Sequence, residues 1–175
     1  MAESLDITER GGLAMATIMA RKGVRAAALG ERLGLEPPAG PRSASGDGLS
    51  LVGVGPGVWL AIAGDAGPSW VESLRERLAG AASVSDQSAG YLVFRLRGEA
   101  ARELLQKGAF IDLHPSAFQP GSAAVTVIAH MGVILWQVDD APTFDCAVFR
   151  SYAGCFRDWI AAAKPVSTPN VRQGC

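Results

Sequence analysis

The side chains best equipped for proton transfer, nucleophilic attack or metal binding are few. His114 and His130 are the only histidines, Cys146, Cys155 and Cys175 the only cysteines, and Asp139-Asp140 is an adjacent acidic pair. A catalytic base needs an oriented partner within hydrogen-bond reach, and in Asp112-Leu113-His114-Pro115 only Asp112 could orient His114. The same acid caps a turn equally well, and the turn is the preferred reading. His130, in Ala129-His130-Met131-Gly132, is expected at a strand end facing solvent, and no cysteine or carboxylate stands at metal-ligand spacing from it. The cysteines fit neither a disulfide framework nor the CxxC pairs of a zinc site. All three are expected to be reduced, Cys146 and Cys155 in the core and Cys175 on a loose tail. Adjacent residues on a strand point to opposite faces, so Asp139 and Asp140 share no site there, and Asp139-Asp140-Ala141-Pro142 reads as a turn. Ser69, Ser88 and Ser151 lie in no Gly-x-Ser-x-Gly elbow, and Ser151 is expected to cap the last helix. Gly53-Val54-Gly55-Pro56-Gly57 is rich in glycine, yet a phosphate-binding loop must deliver its ligand to a helix N-terminus. The next residues, Val58 to Ala63, read as a strand, so this is a hairpin turn. No residue is assigned a catalytic, cofactor-binding or metal-binding role.

Composition narrows the function further. The 175 residues are 49% hydrophobic and only 19% charged, below the roughly 25% charge of an average soluble domain. A sizeable core with a charge-poor surface suits a subunit better than a free monomer. Sixteen basic and 17 acidic side chains give a net charge of −1, too little positive field for binding dominated by phosphate. Nucleic acid is therefore not an expected ligand. Every long apolar stretch is broken well before the roughly 20 residues that span a bilayer, and Met1 to Arg10 has neither a basic nor an apolar signal region. No membrane association is expected, and a cytoplasmic location is.

The elements that must position any site emerge from periodicity. Residues 1–10 are polar and expected to be a disordered tail. Leu13 to Ala20 reads as a strand and Val24 to Leu33 as a helix stopped by Gly34. Glu36 to Gly48 reads as a loop. Leu49 to Val54 and Val58 to Ala63 read as strands, and Trp70, Val71, Leu74 and Leu78 mark the inner side of a second helix. Ala82 to Gln87 closes a first half, residues 11–88. Tyr91 to Arg97 alternates as a strand with one buried face, and Glu99 to Lys107 is helical. Ala123 to His130, Val133 to Val138 and Phe144 to Phe149 form a hairpin series, with Met131-Gly132 as its first turn. Tyr152, Cys155, Phe156, Trp159, Ile160 and Ala163 share one stripe of a closing helix, ended by Pro165. Residues 89–163 thus form a second half, and 164–175 are expected to be a disordered tail. The pattern predicts one α+β domain whose element order is a duplicated ferredoxin-like strand/helix unit.

Several segments carry a likeness. Val84 to Gly98, Leu104 to Pro115, Phe118 to Gly121 and Val133 to Tyr152 resemble the gamma subunit of heterotetrameric sarcosine oxidase, with a looser match at Leu33 to Pro37 and Gly55 to Leu60. More distantly, Asp86-Gln87-Ser88 before a strand and Gly98 opening a helix resemble the folate-binding domains of the glycine cleavage T-protein. The T-protein carries a Gly-Gly-Ile-x-Asp-Asp type segment, and Met131 to Trp136 stands in the matching place. Leu135 and Trp136 then occupy the positions of the acids and can neither steer nor accept a proton. The resemblance implies a T-protein-like fold without aminomethyl-transfer chemistry. It implies a non-catalytic gamma subunit beside alpha, beta and delta subunits that oxidise sarcosine to glycine with one-carbon transfer to tetrahydrofolate. FAD, FMN, NAD, tetrahydrofolate and zinc are implied in those partners, and no cofactor in this chain. A gamma-like subunit of an N-methylglutamate dehydrogenase, or a free-standing folate-dependent one-carbon protein, are the alternative readings.

One strand raises the question of what covers it. Ile134, Trp136 and Val138 lie on one face of Val133 to Val138, and Val133, Leu135 and Gln137 on the other, so both faces are largely apolar. Either the other half of this domain or a partner chain must cover the second face. Val133, Leu135 and Trp136 are accordingly the candidate partner interface.

Overall fold

A computed structural model of the chain describes residues 4–164. Its elements are β1 (Asp6–Arg10), β2 (Ala14–Ala20), α1 (Ala26–Leu33), β3 (Ser43–Gly46), β4 (Leu49–Gly55), β5 (Val58–Ala63), α2 (Trp70–Arg77), β6 (Ala82–Asp86), β7 (Tyr91–Arg97), α3 (Ala100–Gln106), β8 (Ala123–Ile128), β9 (Met131–Asp139), β10 (Thr143–Phe149) and α4 (Ala153–Ala163). The strands form two antiparallel five-stranded sheets, ordered β3-β4-β5-β2-β6 and β1-β7-β10-β9-β8. The expected α+β class holds.

Three apolar layers result from strand alternation, which sends successive side chains to opposite faces. On the first sheet, Ile18, Leu51, Trp59 and Ala61 pack against Leu29 and Leu33 of α1 and Val71 and Leu74 of α2. On the second, Phe94, Leu96, Val133, Leu135, Phe144 and Cys146 pack against Leu104 and Leu105 of α3 and Phe156 and Ile160 of α4. The remaining faces meet each other: Met15, Val52, Leu60 and Ile62 from the first sheet close on Val93, Ala123, Ile134, Trp136 and Ala147 from the second. The order of layers is helices, sheet, sheet, helices.

Five expectations change. Residues 6–10 are not a tail but β1, paired with β7 from Asp6↔Arg97 to Arg10↔Val93. An edge strand needs little apolar surface when its backbone is paired, and here only Leu5 and Ile7, at a period of two, touch the core. The second sheet therefore takes its outer strand from the N-terminus, ahead of the first half. Within the expected loop 36–48, Ser43–Gly46 is β3, turned into β4 by Asp47 and Gly48 at φ 48° and 77°. Met131-Gly132 is not a turn. Ala129 and His130 make it at φ 47° and 67°, the left-handed pair that matches hairpin twist, and this register buries Met131 among the helix-facing residues. Ser151 does not cap α4, because Arg150–Tyr152 is a turn of 3-10 helix that starts the helix later. The shift moves the buried stripe to Ala153, Phe156 and Ile160, leaving Tyr152 and Cys155 exposed rather than in the core. Cys146 is buried as expected. Residues 165–175, which hold Pro165, Cys175 and all of the expected C-terminal tail but Lys164, lie outside the described residues, as do 1–3.

One glycine is dictated by a close approach. A Cβ on Gly53 would stand 2.1 Å from the carbonyl oxygen of Gly40, where the 36–42 segment crosses β4 and Arg42 O accepts the Gly53 N–H at 2.8 Å. Gly53 is thus explained by chain crossing, and the Gly55 to Gly57 stretch forms the hairpin turn that was expected.

Candidate functional site

The seam between the two sheets changes character along its length. At one end, Asp145 of β10 turns inward and is only 1% exposed. Arg95 of β7 grips it with two hydrogen bonds of 2.7 Å, Nε to Oδ1 and Nη2 to Oδ2, and Arg10 of β1 adds Nη1 to Oδ2 at 3.0 Å. The paired carboxylate holds the Arg95 guanidinium above its ordinary pKa. Three strands converge here, and the N-terminal one is fastened to the middle of the sheet. Residues around Arg10, Ser45, Asp47, Ser50, Ile62 and Asp65 line an open groove beside it.

The centre of the seam is sealed by Trp136, Ile134, Leu60, Ile62 and Val52. At the far end the sheets diverge and leave an apolar cleft of about 200 Å³. Val54 and Leu60 line it on one side and Tyr91, Val125, Ile134 and Phe149 on the other, with Gly132 leaving its floor low. Tyr91 and Phe149 stack with ring centroids 4.8 Å apart, and Phe149 is still 46% exposed. Burial raises the Tyr91 pKa. Among the described residues no charged side chain lines this cleft, and its walls are mostly apolar, with Thr17 and Tyr91 the hydroxyl-bearing residues in its lining.

A second polar knot lies on the helix side of the second sheet. Arg102 of α3 donates to the backbone oxygens of Leu113 and Phe118 and, at 3.0 Å, to Gln137 Oε1, and its guanidinium carbon lies 5.0 Å from the centre of the Phe144 ring. Gln137, itself buried, passes the chain on to Asp139 O at 3.0 Å. Burial lowers the Arg102 pKa, and its contacts tie the 107–122 connection to β9 and β10.

The residues singled out in the sequence are placed apart. Asp112 Oδ1 accepts the His114 backbone N–H at 2.8 Å, the capping role expected, while the His114 ring meets Ser116 Oγ at 2.7 Å on the surface. His130 sits exposed in its turn, its ring 6.3 Å from that of Phe110. Asp139 Oδ1 accepts the Ala141 N–H at 3.0 Å, as a turn acid does. Ser88 bonds to both N and O of Met15, tying β2 to the β6–β7 turn. Burial, and then the neighbouring Asp145 carboxylate, push the Cys146 thiol well above its ordinary pKa, so it stays protonated and unreactive. Among the described residues, no three of His, Cys, Asp and Glu converge as metal ligands, and no helix is long and apolar enough to cross a membrane.

The candidate interface of Val133, Leu135 and Trp136 requires correction. Val133 and Leu135 face α3 and α4, Trp136 faces the opposite sheet, and all three are buried within this chain. The two halves pack on each other and cover the strand that seemed to need a partner. The side chains that sequence reasoning passed over are Arg10, Arg95 and Asp145 at one end of the seam and Tyr91, Val125 and Phe149 at the other. The signal for the first group was an acid inside an otherwise apolar strand, Phe144-Asp145-Cys146.

Comparison with known proteins decides the family. A sequence model of the sarcosine oxidase, gamma subunit family matches residues 19–165. The chain belongs to that family. The gamma subunit of sarcosine oxidase from Arthrobacter sp is 36% identical over 116 residues, 66% of this chain and 56% of the relative. That from Corynebacterium sp. (strain P-1) is 35% identical over 120 residues, 65% of this chain and 57% of the relative. The chain spans a little over half the length of the curated relatives it matches. Among solved structures, it superposes on a chain of the heterotetrameric sarcosine oxidase from Corynebacterium sp. U-96 with a TM-score of 0.82 at 27% identity, over 91% of this chain and 83% of that one. The glycine cleavage system aminomethyltransferase T from Bartonella henselae shares the fold, with a TM-score of 0.65 at 12% identity over 89% of this chain and 45% of that one.

Proposed function

We propose that this gamma-family chain is a non-catalytic subunit of a heterotetrameric sarcosine oxidase. The family match over residues 19–165 carries the reading. It gains support from the seam, where Arg95 and Arg10 hold the buried Asp145 carboxylate in ion pairs. The chain acts through its shape, holding alpha, beta and delta subunits in a cytoplasmic complex that oxidises sarcosine to glycine and passes the one-carbon unit to tetrahydrofolate. FAD, FMN, NAD, tetrahydrofolate and zinc belong to those partners. The fold itself is a duplicated ferredoxin-like unit on this reading. In support, β6-β2-β5-β4 and β1-β7-β10-β9 follow the same spatial order around their helices, with β1 standing where a final strand of the second unit would be.

Affinity purification of the tagged chain from its own cells tests the proposal. The expected result is co-purification of a flavin-bearing complex that forms peroxide from sarcosine, while the chain purified alone has no flavin absorbance and no turnover. Turnover of N-methylglutamate in place of sarcosine would move the substrate. Micromolar tetrahydrofolate binding by the isolated chain, seen by calorimetry, would overturn the non-catalytic reading.

A further inference from the structure

Among the described residues, the outer edge of β8 is open between Pro41 and Phe110. Its even-numbered residues bond to β9, as Gln137 N to Ser122 O does at 3.0 Å, so residues 123, 125 and 127 direct their backbone groups outward. Two of those groups are occupied: Ala123 N–H donates to Pro41 O at 2.9 Å, and Val127 O accepts from Phe110 N at 3.4 Å. Among the described residues, Ala123 C=O, both groups of Val125 and Val127 N–H have no backbone partner. An exposed apolar edge of this kind invites another strand, and proteins that keep one uncovered usually guard it with charge or proline. Here the guard is absent. Val125 and Val127 are 60% and 39% exposed, and Phe110 beside them 73%. Val125 also lines the apolar cleft, so open edge and cleft form one continuous surface with Phe149 and Tyr91.

We infer that this edge receives an extended segment of a partner subunit, added as a strand beside β8. The inference rests on the proposed role as a subunit. Pro41 and Phe110 bracket the opening, which limits the segment to about five residues opposite 123–127, as side chains alternating across a pleat require. Residues of the segment that share the face of Val125 point toward the cleft. They are apolar and larger than valine, because no charge lines the cleft and the stacked Tyr91 and Phe149 rings form its wall. A second copy of this chain fits less well, since pairing about Val125 would bring only another valine to the cleft.

Hydrogen exchange on the purified complex and on the isolated chain, read at the amides of Val125 and Val127, tests this directly. The amides should exchange about tenfold or more slowly in the complex. Two variants check the consequence. Val125→Pro deletes a donor that no backbone group among the described residues uses and is tolerated at an edge; Gly132→Trp fills the cleft from a site where an added Cβ meets nothing within 4 Å. Either should leave the melting curve in place and cut partner recovery about tenfold. If Val125→Pro unfolds the chain, Gly132→Trp decides. Equal exchange in both states overturns the inference while the subunit role stands. Protection in the isolated chain, together with a dimer mass, assigns the edge to a second copy and also overturns it. If the tagged chain recovers no subunits at all, the functional reading fails and takes this inference with it.

Discussion

Replacing Asp145 with asparagine keeps the shape of the charged end of the seam and removes the carboxylate charge held between Arg10 and Arg95. The carboxylate is 1% exposed, whereas the side chains of Arg10 and Arg95 are 29% and 27% exposed. Removing one member of a fully buried ion pair costs about 3–5 kcal/mol, mostly from the partner left unneutralised. Both arginines here keep a route to water, so solvent screening brings the cost below that range, to about 2–3 kcal/mol. For a chain of this size, where each 1 kcal/mol moves the melting point by roughly 2–4 °C, Asp145→Asn should lower it by about 4–12 °C. Differential scanning calorimetry at neutral pH measures it, with urea unfolding as a check that the slope is unchanged. Arg95→Gln should cost more than Arg10→Gln, because Arg95 makes two short bonds and Arg10 one. In the Arg10→Gln protein, hydrogen exchange should rise first along β1. A melting point for Asp145→Asn within 1 °C of the parent, as for an exposed surface pair, would refute the reasoning.

Three further outcomes are expected. Leu135→Lys buries an unpaired ammonium among Phe144, Phe156 and Leu104 and should leave the chain insoluble or unfolded by circular dichroism; a folded variant would mean that β9 is not internal. Gly53→Ala forces the 36–42 crossing away from β4 and should destabilise by about 1–3 kcal/mol in denaturant titration, unlike alanine at open Gly132. Glu9 is held below its ordinary pKa of 4.5 by its hydrogen bond to Arg157, so its contribution is present above that value and is lost as pH falls through the lower, folded one. Stability measured from pH 6 to pH 3 should therefore fall less steeply in Glu9→Gln than in the parent.

Much of the architecture was legible because local physics dictates it. Tyr91 to Arg97 alternates and is a strand; Trp70, Val71 and Leu74 recur at helical spacing and face a core; Gly34 ends α1 in the left-handed region. Where the local signal was weak the reading failed. Asp6 to Arg10 carries almost no apolar pattern, and pairing with β7, more than eighty residues away, makes it a strand. Asp47-Gly48 was a hairpin signal of the right type, hidden in a stretch dominated by proline and glycine. The hairpin between β8 and β9 turned at Ala129-His130 because burying Met131 outweighs the comfort of a glycine in the turn.

The candidate sites divide along the same line. Sequence by itself made turns and surface positions the preferred reading of His114, His130 and the acidic pair, since neighbouring residue types set that reading, and it carried the family resemblance. It also determined that both faces of β9 must be covered. Only the tertiary structure decided by what: the two sheets close on each other, so Trp136 is sealed by Leu60 and Ile62, and Leu135 by the helices. Arg10, Arg95 and Asp145 stand far apart in the chain and meet because three strands are adjacent in one sheet. The cleft at Tyr91 and Phe149 and the open backbone of β8 arise from how far two twisted sheets stay in contact and where the sheet runs out of strands. Those are properties of long-range packing, and no window of sequence contains them.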